Sequence, residues 1–173
     1  MWPSSRSSVG SRIVRGTSVV VPTLVGLFCV LAVIMPYGAF GGIPLAPVFP
    51  LAAIFFFVLT RPGQMTPLSV FAIGLFQDFL TGSPAGLWAL VYLLAYGVTV
   101  ALRVLFVGRS ASAAWPGFLI VAGASGAGIW LLASLFYSVP IPVVPIAGQL
   151  MLTGALYPIM AWVFTLFLPQ AEG

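Results

Sequence analysis

Between Thr17 and Phe167 only Arg61, Asp78, Arg103 and Arg109 carry charge. A chain of this kind cannot clothe a soluble core, because ordinary soluble domains are about 25% charged and this one is 5% charged and 61% hydrophobic. Its apolar runs instead approach the ~20 residues that a helix needs to cross a bilayer, where every backbone polar group must be satisfied internally. Glycine and proline breakers divide the chain into apolar spans near residues 17–37, 45–60, 66–81, 84–106, 115–137 and 144–168. The sequence thus predicts an all-α integral membrane protein: an Arg/Ser-rich segment (1–16), a six-helix transmembrane domain (17–168) and a short tail (169–173). The second span opens among Pro44, Pro47 and Pro50 and is short, so an irregular start, a kink or local bilayer thinning is expected there.

The arginines set the orientation. With the N-terminus in the cytoplasm, six spans place Arg6, Arg12, Arg15, Arg61, Arg103 and Arg109 on one face, as the positive-inside bias requires, and both ends are then cytoplasmic. One span more or fewer would scatter them. The first apolar run exceeds the 7–15 residues of a signal-peptide core, so a retained first helix is expected. The net charge of +4 is therefore a topology signal, and with no basic patch interleaved with aromatics, nucleic acid is not an expected partner.

The residues that are absent narrow the chemistry. The chain has no His, no Lys, one cysteine (Cys29) and only two acids, Asp78 and Glu172. A Ser-His or Cys-His pair lacks its base, a carboxylate pair lacks its second member, and zinc lacks a ligand cluster. No catalytic residue, metal site or cofactor is expected. Cys29 reads as a small buried hydrophobe.

Asp78 is the exception inside the oil. A carboxylate near mid-bilayer costs roughly 2.5–3.5 kcal/mol on insertion scales, so it must face protein, water or a partner. It lies four residues before Gly82-Ser83-Pro84. Gly82 suits a left-handed helix end, Ser83 the N-cap of the next helix and Pro84 its first turn. A tight helical hairpin is expected, with Thr81, Ser83 or water donating to Asp78 and Gly86 letting the helices approach closely. Three roles remain open for Asp78 on these grounds: structural, contact with a partner or small molecule, and proton or ion coupling.

Other polar residues form stripes. Trp88, Tyr92, Tyr96, Thr99 and Arg103 share one face of the fourth helix, and Gln149, Thr153 and Tyr157 share one face of the sixth. Both stripes are expected to serve interhelical hydrogen bonding and interfacial anchoring, or to meet Gln77 and Asp78 around a cavity or partner groove. In the fifth span Gly123, Gly126 and Gly128 belong to small-xxx-small pairs, which suit close packing within the bundle or a partner-helix interface. Pro158 is expected to bend the sixth helix.

Residues 44–103 resemble the rod-shape-determining MreD family of bacteria. The likeness lies in a Pro-led second span ending in Arg61-Pro62, then Gly74, Asp78, Gly82, Pro84, Gly86 and Leu87 in a G-x3-D-x3-G-x-P-x-G-L pattern. The resemblance implies a non-enzymatic component of the bacterial inner membrane that works in cell elongation. Its implied partners are MreC chiefly, with the MreB filament, the glycosyltransferase RodA and its penicillin-binding transpeptidase, and the lipid bilayer. The family is also similar in architecture to the substrate-binding subunits of energy-coupling-factor transporters, so a vitamin-binding transporter subunit is the alternative expectation.

Overall fold

A computed structural model describes residues 7–33, 39–40, 43–44, 46–61, 63–106 and 114–167. Six helices follow one another in the chain: α1 (Ser7–Val33), α2 (Phe49–Thr60), α3 (Pro67–Thr81), α4 (Leu87–Phe106), α5 (Trp115–Tyr137) and α6 (Val143–Phe167). Between α1 and α2, β1 (Ala39–Phe40) and β2 (Ile43–Pro44) form a two-residue antiparallel ladder, Ala39 opposite Pro44 and Phe40 opposite Ile43. Among the described residues, three helical segments are long and apolar enough to cross a membrane: Leu87–Phe106, Trp115–Tyr137 and Val143–Leu166. Val19–Val33, Phe49–Thr60 and Pro67–Thr81 are apolar but shorter.

Each helix lies close to its expected range. The main difference is α1, which begins at Ser7 and so carries helix back through Arg12 and Arg15 into the expected leader segment. Local chemistry accounts for several boundaries. Thr66 caps α3 by accepting from the Ser69 N–H at 3.2 Å, and Pro67 follows where a missing N–H costs nothing. Gly82 ends α3 with φ +65°, a left-handed conformation that favours glycine. Ser138 ends α5 in the same region, at φ +53°.

The bundle is organised around α2. This helix is apolar on every side, and a helix of that kind belongs inside; Pro50 to Val58 are all buried. It packs against α1, α4, α5 and α6, while α3 lies against α1 and α4. Twelve residues rise only about 18 Å, less than the ~30 Å hydrocarbon core. Its amino end accordingly lies inside the bundle, where the Val48 N–H donates to Thr153 Oγ1 at 2.9 Å, ten residues into α6. A buried N–H at a helix start needs such a partner.

Aromatic rings join the inner elements. Phe118 of α5 stacks on Tyr157 of α6 with centroids 4.3 Å apart, and Phe55 of α2 meets both edge-on at 5.4 Å. Phe56 and Phe57 face Phe164 of α6 at 5.3 and 6.1 Å. Cys29 lies in the same core, 7% exposed. The outer faces are apolar as well: Phe79, Val104 and Met151 are each more than three-quarters exposed, as side chains facing lipid would be.

Candidate functional site: the Asp78 clasp

The α3–α4 hairpin is drawn together at three levels. Deepest, Gly74 is where α3 and α4 touch through backbone. A Cβ there would fall on the Ala89 Cα, 2.6 Å from the Ala89 nitrogen and 2.8 Å from the Trp88 carbonyl carbon. Only a residue without a side chain fits. One turn nearer the tip, the Tyr92 hydroxyl donates to Gln77 Oε1, both side chains being buried. At the tip sits Asp78, 2% exposed.

Asp78 reaches across to the start of the next helix. Its Oδ1 accepts from the Ser83 hydroxyl at 2.8 Å and from the Trp88 N–H at 3.0 Å, while Oδ2 accepts from the Gly86 N–H at 2.8 Å. The first N–H groups of a helix have no partners within it, and they carry the positive end of its dipole. Asp78 thus acts as the N-cap of α4 from the preceding helix. A carboxylate only accepts, so three converging donors suit it. Thr81 buttresses the turn: its hydroxyl donates to the Gln77 carbonyl at 2.8 Å and lies 3.0 Å from the Ser83 hydroxyl.

This geometry corrects three expectations for the hairpin. Ser83 does not cap α4 and Pro84 is not in its first turn, because the helix starts at Leu87 after a Pro84-Ala85-Gly86 turn closed by Leu87 N–H to Pro84 carbonyl, 3.1 Å. The capping oxygen comes from Asp78 instead. Nor does Gly86 bring the helices together: a Cβ there would meet nothing within 4 Å, and its requirement is a φ of +98°. Close approach belongs to Gly74.

Among the described residues the two polar stripes make separate contacts. Tyr92 joins Gln77, with the Trp88 ring 5.7 Å from the Tyr92 ring. Tyr96 packs against the apolar core, and the Thr99 hydroxyl returns to the Ala95 carbonyl of its own helix at 2.7 Å. On α6, Thr153 donates to the Gln149 carbonyl at 2.7 Å while accepting from Val48, and Tyr157 stacks on Phe118. Within the α6 stripe Thr153 therefore holds the start of α2, and within the α4 stripe Tyr92 holds the hairpin. Among the described residues no buried side-chain nitrogen or oxygen lacks a hydrogen-bond partner, and no group of three His, Cys, Asp or Glu is placed to hold a metal.

The glycines of α5 point to different neighbours. Gly126 faces Leu150 of α6, Gly128 faces Leu94 of α4 with 3.0 Å to a would-be Cβ, and Gly123 opens to the outside. Three apolar grooves of about 390, 400 and 470 Å³ run between α4 and α5 beside Pro84–Leu87, between α5 and α6 along Gly123 and Gly126, and between α1 and α3. None of the three is lined by Gln77, Asp78, Tyr92, Tyr96, Gln149 or Thr153.

A further polar contact joins α5 to α6 without a forerunner in the residue pattern. The indole N–H of Trp115, at the start of α5, donates to the Gly154 carbonyl of α6 at 2.8 Å. The available signal was Pro158, whose missing N–H leaves the carbonyl four residues earlier without its helical donor.

Fold and site together define a helical bundle with three membrane-length apolar helices and a carboxylate-clasped hairpin between α3 and α4. No protein-family model, curated protein or solved structure matches the chain.

Proposed function

We propose that the chain is a six-span protein of the bacterial cytoplasmic membrane, with both termini in the cytoplasm, that acts as a non-enzymatic scaffold of the cell-elongation machinery. In this reading it binds MreC, and through the same complex MreB, RodA and the penicillin-binding transpeptidase, to place lateral peptidoglycan synthesis. The observation that supports it is the convergence of the residues carrying the MreD resemblance on one physical task. Gly74 sets the helix contact, Asp78 clasps the turn, and Gly82 and Gly86 supply its left-handed backbone. The outcome is a fixed corner that exposes no charged side chain, beside an apolar groove, a form suited to meeting another membrane segment. Gln77, Tyr92 and Asp78 direct their hydrogen bonds at one another and at the turn, which weighs against a vitamin site built from them.

Affinity capture from native membranes tests the proposal. Recovery of MreC is the expected result; recovery of transporter ATPases without MreC would overturn it in favour of the vitamin-binding subunit.

A further inference from the structure

The sixth helix runs unbroken through a proline and is lightly held. Only 17% of its membrane-length window is buried inside the bundle, against 28% for α4 and 33% for α5. Pro158 lies inside it, so the Gly154 carbonyl loses its intrahelical donor, and prolines of this kind are where long helices bend. That one carbonyl is the acceptor of the Trp115 indole N–H, at 2.8 Å. Gly154 lies close to α5: a Cβ there would lie 2.9 Å from the tip of the Leu119 side chain. The residue before it, Thr153, holds the start of α2 through Val48. Both tethers therefore act on the amino side of Pro158, and the carboxyl side rests on packing: Ala161 is buried in the core, Met160 packs against it, and Phe164 lies against Phe56 and Phe57.

We propose that Trp115 is the latch of a proline hinge in α6: its indole occupies the carbonyl freed by Pro158, and its release lets the Ile159–Phe167 arm swing away from α2. The swing parts Phe164 from Phe56 and Phe57 and uncovers the aromatic flank of the central helix. Trp115 is a positioning residue, acting through the Gly154 carbonyl. In hydrocarbon that carbonyl has no water to replace the indole, so loss of the bond shifts the hinge toward any geometry that satisfies it.

The test uses the full chain in lipid nanodiscs with Cys29→Ala and a single reporter cysteine, Ala161→Cys. Ala161 lies on the arm and is 1% exposed. Methanethiosulfonate labelling then reads how often the arm opens. Trp115→Phe keeps a ring and removes the N–H, and labelling should quicken about fivefold, the ratio that corresponds to a bond of roughly 1 kcal/mol. Pro158→Ala restores an N–H to the Gly154 carbonyl, so in that background Trp115→Phe should change labelling by less than about twofold. Hydrogen exchange of the α6 amides following Pro158, read on the same substitutions without the reporter, should give the same ordering. An equal acceleration in both backgrounds would make Trp115 a simple anchor and overturn the latch. No acceleration with Pro158 in place would overturn it too.

Discussion

Replacing Asp78 separates a structural carboxylate from one held in reserve for a ligand or an ion. In Asp78→Asn one side-chain oxygen can still accept from Ser83 and Trp88, now without charge, but an amide NH2 takes the place of Oδ2 and faces the Gly86 N–H. Orphaning that donor costs about 1–3 kcal/mol, and losing the charge at the amino end of α4 costs roughly a further 1 kcal/mol. The sum is roughly 2–4 kcal/mol. In Asp78→Ala both backbone N–H groups lose their acceptor, while the Ser83 hydroxyl can still turn to Thr81, 3.0 Å away. The cost rises to roughly 3–7 kcal/mol, from two orphaned donors and the same lost charge. The chain supplies its own reporter, since its only cysteine, Cys29, is buried and reacts with a thiol dye once the bundle opens. Thermal unfolding followed by that dye should rank wild type above Asp78→Asn and Asp78→Ala lowest. At roughly 2–4 °C per kcal/mol, the Asn variant should unfold several degrees early. A carboxylate kept for a ligand at the expense of stability gives the opposite order, with the Asn variant as stable as wild type or more so, and that result would refute the clasp.

Four further outcomes follow from the geometry. Gly74→Ala should destabilise by about 1–3 kcal/mol, because its methyl meets Ala89 and Trp88 backbone rather than a movable side chain, whereas Gly82→Ala should lose only the left-handed backbone cost of roughly 1–2 kcal/mol; the same thermal assay compares them. Tyr92→Phe should cost about 1–2 kcal/mol by stranding Gln77 Oε1, and Gln77→Leu combined with Tyr92→Phe should recover part of it in a double-mutant cycle. Gly126→Leu should weaken the isolated protein by displacing Leu150, while Gly123→Leu, which meets open space, should leave its melting temperature unchanged. Cysteines introduced at Gln64 and at Thr81 in a Cys29→Ala chain should be labelled from opposite sides of the membrane; labelling of both from one side would contradict the six-span topology.

The helices were legible because apolar length and Gly or Pro breakers act locally, so Trp115–Tyr137 and Pro67–Thr81 coincide with their expected ranges to within a residue. The Ser7 start of α1 was not, because arginine and serine are tolerated in a helix that hydropathy alone stops at Thr17. For the hairpin, the left-handed Gly82 and a bond from Ser83 to Asp78 could be read from the turn sequence. The position of Asp78 beside the positive end of the fourth helix could be read as well, but not that the Gly86 and Trp88 N–H groups are its donors, since those bonds span eight to ten residues and depend on how α3 and α4 cross. Close approach fell to Gly74 rather than Gly86 for a related reason: spacing marks a glycine but not whether its freedom serves φ or close approach. The α4 and α6 stripe residues lie on helices, yet which neighbour each meets is a property of the bundle, and α2 stands among them.

Photocrosslinking in living membranes tests the proposed recognition corner most directly. A photoreactive residue at Ala85, exposed on the hairpin beside the α4–α5 groove, is compared with one at Leu166, exposed near the far end of α6. The proposal predicts a crosslink to MreC from Ala85 that is lost in Asp78→Ala and absent from Leu166. Crosslinks to MreC from Leu166 alone, or an Ala85 crosslink indifferent to Asp78→Ala in a chain that still folds, would contradict the corner as the site of recognition.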